Sequence, residues 1–149
     1  MNLELIKACE TGNLKKVKEL IEERGVDPSA QNNWAVVWAA MFGHIEVVMY
    51  LCSLFCFDPS TRNIWALRWA ACEGHVKVVK YLCSLICVDP CALDDRAVIE
   101  AARNGHKEVV KYLYSLSCVD TSVLDNEAVI EAAVYGHIEI VKYLIREVK

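Results

Sequence analysis

The apolar residues of this chain recur at helical spacing in short runs, and turn residues separate the runs. Between residues 44 and 54, for example, Ile45, Val48 and Leu51 fall on one stripe of a helix, while Glu46 falls off it. This spacing predicts an amphipathic helix from about His44 to Leu54.

The residues before this helix predict a second one. Asn33 is a suitable N-cap residue, and Gly43 supplies the break that a tight turn needs. The first helix is therefore expected to begin near Asn33 and to run from Trp34 to Phe42. Together the two patterns predict a helix-turn-helix unit.

This unit is repeated along the chain. The sequence Ala-Ala-x-x-Gly-His begins at Ala39 and returns at Ala70, Ala101 and Ala132, a constant spacing of 31 residues. Constant spacing of this kind is typical of repeat proteins, in which each repeat is one supersecondary unit. We therefore divide a single domain, 1–149, into repeats at approximately 1–30, 31–61, 62–92, 93–123 and 124–149. The turn glycines are Gly12, Gly43, Gly74, Gly105 and Gly136.

A polar segment follows each pair of helices. It carries Asp-Pro in the first three repeats, and proline bars the chain from continuing as a helix. The fourth repeat has Asp120 without the proline. Each repeat is thus expected to consist of helix, turn, helix and extended loop, with the Asp-Pro pairs at Asp27-Pro28, Asp58-Pro59 and Asp89-Pro90.

Helices of about ten residues are marginal in water, so each repeat is expected to lay its apolar face on its neighbours in an all-α solenoid. In the first repeat, Lys16 and Glu19 stand where the second has Val47 and Tyr50, which predicts a polar N-terminal cap. The last repeat keeps the apolar pattern as far as Leu144. Such a stack either continues in a longer protein or covers its end by self-association.

Composition and charge narrow the choice of partner. The 149 residues are 55% hydrophobic and 24% charged, which suits a folded domain with a buried interior. A net charge of -4 gives no basic field for nucleic acid. No apolar run approaches the roughly 20 residues that span a bilayer, and the N-terminus lacks the pattern of a signal peptide, so no membrane partner is expected. These features predict a cytoplasmic or nuclear protein whose eight cysteines are free thiols in a reducing compartment.

The pattern Ala-Ala-x-x-Gly-His-x-x-Val-Val-x-x-Leu on a helix-turn-helix resembles the ankyrin repeat, and the resemblance covers practically the whole chain. The period departs from the family's usual length of about 33 residues, which implies shorter loops. The family's Thr-Pro-Leu-His at the start of the first helix is also missing, since the second repeat reads Trp34-Ala35-Val36-Val37 there. The hydrogen-bond lock between that threonine and histidine is therefore expected to be absent.

The resemblance implies a non-enzymatic module that binds a partner protein on a concave surface of first helices and loop tips. By position, it implies contacts from the two residues before each turn glycine and from the residue before the family's threonine. The pairs before the glycine share no residue type between repeats, whereas Ala39 and His44 recur in every later copy. Such variation suits a ligand-facing site, and it also suits an exposed surface under no constraint. The implied contacts are Met41, Phe42, Cys72, Glu73, Arg103, Asn104, Val134 and Tyr135, with Asn33, Ile64, Asp95 and Asn126.

Four tryptophans lie on two consecutive first helices. Trp34 and Trp38 are one helical turn apart, as are Trp65 and Trp69, so each pair lies on one side of its helix. Tryptophan is favoured both in packed cores and as an anchor at protein interfaces, and Trp34 and Trp65 join the candidate partner contacts. The equivalent positions of repeats four and five are charged, so this surface should be aromatic in its first half and charged in its second. The charged residues are Arg96, Glu100, Glu127 and Glu131.

Cysteines and histidines recur at equivalent positions of successive repeats because the repeat itself recurs. Zinc sites usually need C-x2-C pairs, whereas the cysteines here are four apart, as in Cys52 and Cys56. Neighbouring repeats are about 10 Å apart, beyond the ~7 Å limit for a disulfide. The histidine after each glycine is expected to form local hydrogen bonds at the turn. With no phosphate-binding loop, nucleophile elbow or H-E-x-x-H motif, we predict no catalytic residue, metal site or cofactor.

Two functions therefore remain open on sequence grounds. The first is a protein-interaction module that recognises its partner with the first helices. The second is a passive structural scaffold with no ligand of its own, which includes a fragment of a larger protein and an engineered stack.

Overall fold

A computed structural model describes residues 2–54, 61–85, 96–116 and 121–147. Within these ranges, the side chains of residues 30–33, 61–63, 121–126 and 147 are not described. Every regular element within these residues is a helix, and the helices alternate as first and second members of antiparallel pairs. The all-α solenoid that the sequence predicts is confirmed. The helices are α1 (Leu3–Glu10), α2 (Leu14–Lys18, continued by a π-helical turn over Glu19–Glu23), α3 (Ala30–Met41), α4 (Ile45–Leu54), α5 (Thr61–Cys72), α6 (Val76–Ser84), α7 (Arg96–Arg103), α8 (Lys107–Tyr114), α9 (Thr121–Val134) and α10 (Ile138–Glu147).

The second helices keep the period of the sequence. They begin at Leu14, Ile45, Val76, Lys107 and Ile138, 31 residues apart. The turn before each of them depends on the left-handed glycine: Gly43 has φ +76°, and its N–H donates to the Ala40 carbonyl at 3.1 Å. A residue with a side chain rarely adopts this conformation, which is why glycine recurs at this position.

Three of the first helices, α3, α5 and α9, are longer than the sequence pattern predicts. Asn33 was expected to cap α3, but the helix already begins at Ala30, so that prediction is wrong. The cause lies in the preceding loop, where the Asp27 carboxylate accepts hydrogen bonds from the backbone N–H of Ser29 at 2.8 Å and from its hydroxyl at 2.6 Å. This turn ends the loop early, and the chain enters the helix directly after Ser29.

The same lengthening occurs before the last repeat. Thr121 and Ser122 were expected to lie in an extended loop, yet α9 begins at Thr121. Because Asp120 is not followed by proline, no residue there bars the helix. The predicted loops at 58–60 and 89–91 lie outside the described residues.

Small residues hold the repeats close together. The alanine pairs Ala39-Ala40, Ala70-Ala71 and Ala101-Ala102 have no exposed surface. Each pair lies where neighbouring first helices meet, and a bulky residue there would force the helices apart. A column of leucines completes the core on the second helices, one in each of the last four repeats: Leu51, Leu82, Leu113 and Leu144.

The histidine after each glycine connects two repeats. The Nε2 atom of His75 lies 2.9 Å from the Met41 carbonyl oxygen of the preceding repeat. The His44 and His137 rings contact Glu10 and Arg103 in the same way, each at 2.8 Å. Since a carbonyl only accepts, Nε2 carries the hydrogen in each case.

The expectation of a purely local histidine role at the turn is therefore wrong. The ring reaches the preceding repeat because that repeat's glycine has no side chain. A Cβ built on Gly43 would come within 3.0 Å of the His75 ring, and one on Gly74 would meet His106 equally closely. Each glycine thus serves its own turn and also makes room for the next repeat.

Candidate partner-binding surface

The first helices form the more closely packed side of the stack. Neighbouring first helices contact one another far more extensively than neighbouring second helices do. Closer packing on one side curves a solenoid toward that side, so we expect the first helices to line its inner surface. We refer to the exposed sides of α3, α5, α7 and α9, with the turns that follow them, as the first-helix face.

Aromatic rings occupy the first half of this face. Trp34 and Trp38 lie one helical turn apart on α3, and Phe42 follows one turn later as the C-cap residue of this helix. The rings of Trp38 and Phe42 stack with centroids 5.9 Å apart. On α5, Trp65 and Trp69 lie at the positions equivalent to the two α3 tryptophans and pack partly on the core. We call these five residues the aromatic patch.

The outer rings of the patch stay accessible. Trp34 and Phe42 are exposed, whereas Trp38, Trp65 and Trp69 are half-buried. Three of the four tryptophans therefore help to cover the core, whereas Trp34 projects further from it. The patch presents apolar surface whose rings are already held in place by stacking and packing.

A chain of ion pairs occupies the second half of the face. Arg68 on α5 contacts the Glu100 carboxylate at 2.9 Å, and Arg103 contacts the same carboxylate at 3.5 Å. Arg103 then reaches Glu131 of the next repeat at 2.8 Å. We call these four residues the charge ladder, because they join three successive first helices.

Electrostatics within the ladder favour its charged form. The hydrogen bond from Arg103 lowers the pKa of the Glu131 carboxyl, and the Arg103 charge lowers it further. In return, the hydrogen bond to Glu131 raises the pKa of the Arg103 guanidinium, with Glu100 as the second cause. The Glu131 carboxylate, paired with Arg103, therefore stays ionised to lower pH than an unpaired glutamate would.

Two cations join the ladder to aromatic rings. The Arg68 guanidinium lies 5.1 Å from the centre of the Trp65 ring, so it links the aromatic patch to the ladder. The Arg103 guanidinium lies 5.9 Å from the Tyr135 ring in the fifth repeat. Both distances suit a cation–π interaction. Arg103 and Tyr135, which the sequence proposed as partner contacts, thus also bind each other.

Asn104 ties the turn of the fourth repeat to the third. Its Nδ2 atom lies 3.0 Å from the Cys72 carbonyl oxygen and 3.1 Å from the Cys72 Sγ. Burial raises the pKa of the Cys72 thiol, and the carboxylates of Glu100 and Glu73 raise it further. Cys72 is therefore a protonated, weakly nucleophilic thiol rather than a reactive one.

The remaining predicted contacts are distributed over the same helices. Met41 and Ile64 are half-buried, while Glu73, Val134 and Tyr135 are exposed. Asn33 and Asn126 lie within α3 and α9, but their side chains are outside the described set, as is the whole of Asp95. Among the candidates that the structure describes, Trp34, Phe42 and Trp65 belong to the aromatic patch. Arg103 belongs to the charge ladder, with the Tyr135 ring beside it.

Five residues of the aromatic patch and the charge ladder were not among the candidate partner contacts, namely Trp38, Arg68, Trp69, Glu100 and Glu131. Trp38 was identifiable by its place one turn from both Trp34 and Phe42. The contact between Arg68 and Glu100 joins the third repeat to the fourth. In the sequence, the two residues are only a pair of opposite charges 32 residues apart.

Neither a candidate metal site nor a membrane-spanning helix occurs among the residues that the structure describes. Among the described residues, no group of three or more His, Cys, Asp or Glu side chains is placed to hold a metal ion. Cys9, Cys52, Cys72 and Cys83 belong to no disulfide, and the other cysteines lie outside the described ranges. None of the helices described is both long enough and apolar enough to cross a membrane.

Replacing Glu100 by glutamine should lower the free energy of unfolding by about 1 kcal/mol, because two arginines then lose their shared carboxylate. The loss should shrink in high salt, which screens exposed charges. Urea unfolding at low and high ionic strength measures it. The control is Glu73→Gln, on the same face but in no ion pair among the described residues. Equal losses for the two variants would show that the ladder contributes nothing to stability.

Comparison with known proteins agrees with this geometry. No curated protein matches the chain. A family model for ankyrin repeats, built on three copies, matches residues 5–94 and 84–149, and therefore most of the sequence. The match covers the same helix pairs, turn glycines and alanine contacts that the structure shows. The chain belongs to the ankyrin repeat family.

Proposed function

We propose that this chain is a non-enzymatic protein-interaction module that binds a partner protein through its first-helix face. Ankyrin repeats are generally protein–protein interaction modules and generally lack catalytic activity. The partner-binding residues of this particular chain are our proposal, and they include the sequence candidates named above together with Trp38.

The observation that carries the proposal is the aromatic patch. Trp34 is 39% exposed and Phe42 is 40% exposed, although both are large apolar side chains on one helix. Exposed aromatic residues that are held rigidly make effective interface anchors, because little conformational entropy is lost when a partner covers them. The charge ladder beside the patch offers carboxylate and guanidinium groups for polar contacts.

The aromatic patch and the charge ladder also indicate which residue types the partner's interface should contain. Its interface should present apolar side chains to repeats two and three and polar or charged groups to repeats four and five. Since hot spots tend to lie at the centre of an interface within a polar rim, the aromatic patch should supply most of the binding energy.

The double variant Trp34→Ala/Phe42→Ala tests this proposal in a quantitative pull-down from cell lysate. Loss of two anchors should reduce capture of specific partners by about tenfold or more. The matched control is Met49→Ala/Leu54→Ala, which removes two residues of α4 that are 47% and 41% exposed. The control removes a comparable amount of exposed apolar surface, but from a second helix.

The expected result is loss of partners with the α3 variant and their retention with the α4 control, both variants keeping the helical circular dichroism of the parent. Identical capture by the parent and both variants would contradict the proposal. That outcome would favour the passive scaffold, in which the patch only covers the core.

We further propose a cytoplasmic or nuclear location. Four cysteines outside any disulfide support it, one of them being Cys9, whose burial raises the pKa of its thiol to about 12. Free thiols are usual in the reducing compartments of the cell.

A further inference from the structure

The positive and negative groups of the charge ladder are not equally accessible. The side chain of Arg68 is 29% exposed, whereas that of its partner Glu100 is 13% exposed. The side chain of Arg103 is 37% exposed, and that of its partner Glu131 is 22% exposed. In both pairs the guanidinium is the more exposed group, so a molecule that approaches the ladder meets mainly N–H donors.

The arginines of the ladder also have donors to spare. A guanidinium carries five N–H groups in fixed directions. Arg68 donates from Nη2 to the Glu100 carboxylate at 2.9 Å. Arg103 donates from Nε to Glu131 at 2.8 Å and from Nη1 to Glu100 at 3.5 Å. Each guanidinium can therefore bind a further acceptor without giving up its ion pairs.

A third arginine lies beside the ladder and is in no ion pair within the described part of the chain. This residue, Arg96, is exposed and precedes Glu100 by one turn of α7. Arg68 reaches across from α5 to the same stretch of α7, where it contacts Glu100. Three arginines, the third being Arg103, thus lie near one covered carboxylate, and the accessible charge there is positive.

Two exposed carboxylates border this positive region. Glu127 stands on α9 at the position equivalent to Arg96, one repeat further along the stack. Glu73 lies in the turn after α5, eight residues beyond Trp65, which is the third-repeat equivalent of Arg96. Eight residues of helix correspond to about 12 Å. A negative group of a partner is therefore expected near Arg96 and Arg68, away from the turn and from the fifth repeat.

We propose that the partner contributes a peptide segment in which an aspartate or glutamate binds Arg96 and the free N–H groups of Arg68, beside apolar side chains that cover the aromatic patch. This inference rests on the proposed function, because it assigns the chemistry of the partner at the same first-helix face. Guanidinium groups suit carboxylates because two parallel N–H groups match the two oxygens. The Trp65 ring, 5.1 Å from the Arg68 guanidinium, helps to hold that group in place.

The two contacts have different effects on binding. Burial of the aromatic patch supplies most of the affinity, whereas the charge contact selects the partner and fixes its direction along the stack. A segment with a basic residue at this place would meet like charges and bind less well. The first-helix face should therefore distinguish acidic from basic segments that carry the same apolar anchor.

The positions of the contacts set the length of the segment. Trp34, Trp65 and Arg96 are equivalent residues of three successive repeats. Because neighbouring helices pack about 10 Å apart, Trp34 and Arg96 are separated by about 20 Å. An extended chain covers this distance with about six residues, and a helix covers it with about 13.

Selection from a phage-displayed library of random peptides of about 16 residues tests this chemistry, since that length spans the face in either conformation. Peptides enriched on the parent should combine an aromatic or aliphatic anchor with aspartate or glutamate. On the variant Arg96→Glu, the enriched peptides should carry lysine or arginine in place of the acidic residue. This variant should keep its fold, because Arg96 is in no ion pair and glutamate is as good a helix former as arginine.

The matched control is Lys77→Glu. It makes the same change in net charge at an exposed residue of α6, a second helix, and should select the same peptides as the parent.

The peptide most enriched on the parent then measures the size of the effect by fluorescence anisotropy. Arg96→Glu should raise its dissociation constant by about fivefold or more, since an attraction between exposed charges becomes a repulsion. Lys77→Glu should leave the dissociation constant within about twofold. Replacing the acidic residue of the peptide by lysine should restore binding to Arg96→Glu and weaken binding to the parent.

Three results would overturn this inference. The first is a set of parent-selected peptides without an excess of acidic residues. The second is an equal change of the dissociation constant in Arg96→Glu and Lys77→Glu. The third is the absence of any enriched sequence on the parent, because the proposed occupant is a peptide segment.

Selection on Trp34→Ala/Phe42→Ala separates this inference from the proposed function. If the parent's peptides carry an apolar anchor without acidic residues and this variant no longer selects them, the first-helix face is the binding site and only the carboxylate contact is wrong. If the variant enriches the same peptides as the parent, the aromatic patch is not the binding site, and the proposed function fails.

Discussion

Replacing Leu82 by alanine is expected to lower the free energy of unfolding by about 2–5 kcal/mol. Leu82 is fully buried on α6, in the leucine column that runs through the second helices of the last four repeats. Alanine leaves a cavity in the middle of the stack, where the side chains of the same and neighbouring repeats cannot collapse to fill it. Such a loss is a large fraction of the stability of a domain of this size.

Equilibrium unfolding in urea measures this effect. The control is Leu54→Ala, a leucine at the end of α4 that is 41% exposed, for which a change within about 0.5 kcal/mol is expected. A common unfolding midpoint for the two variants would mean that the leucine column does not support the stack.

Replacing Gly74 by alanine should be the most informative single change in the turns. The residue has φ +79°, and an added Cβ would collide with the His106 ring of the next repeat. The left-handed backbone alone should cost about 1 kcal/mol or more with alanine. Displacing a packed ring should add about 1–3 kcal/mol, as other forms of overpacking do.

The chain contains its own control for this effect. Gly136 has the same φ of +79°, but no atom lies within 4 Å of its added Cβ. Gly136→Ala therefore measures backbone strain alone, and the difference between the two variants in urea unfolding measures the collision with His106. Adding His106→Ala to Gly74→Ala should recover part of the loss. Equal destabilisation by Gly74→Ala and Gly136→Ala would refute the interlock between repeats.

Much of the fold follows from periodicity. A packing problem that recurs every 31 residues leaves the same residue types at the same positions, so the helix pairs, the turn glycines and the alanine contacts were all predictable. The predicted ankyrin fold is confirmed for the same reason. Positions such as Ala70 and Leu82 are buried in every copy, and the sequence pattern already marks them as core.

The features that the sequence analysis missed depend on contacts that residue types alone do not reveal. α3 begins early because the Asp27 carboxylate organises the turn before it, which no propensity for Asn33 reveals. The histidine motif is local in sequence, but its hydrogen bonds reach carbonyls of the preceding repeat, 34 residues away. A repeated motif indicates that a residue is needed without indicating which neighbour it contacts.

The candidate site could be predicted only in part. The aromatic first half and the charged second half of the surface were visible as residue types at equivalent positions. The engagement of Arg103 with Glu100, Glu131 and Tyr135 was not visible, because it depends on side chains of two helices and a turn. The binding role of these residues remains a proposal, and the aromatic patch is its most accessible part.

Site-specific photo-crosslinking tests the central claim most directly. A photo-reactive amino acid at position 42 lies within the aromatic patch, and the same amino acid at position 49 lies exposed on α4. In lysate, we predict that position 42 forms a discrete adduct with a partner and that position 49 forms none. An excess of unlabelled parent protein should abolish the adduct, whereas an excess of unlabelled Trp34→Ala protein should leave it unchanged. Absence of a competed adduct at position 42, or equal adducts at both positions, would contradict partner recognition by the first-helix face.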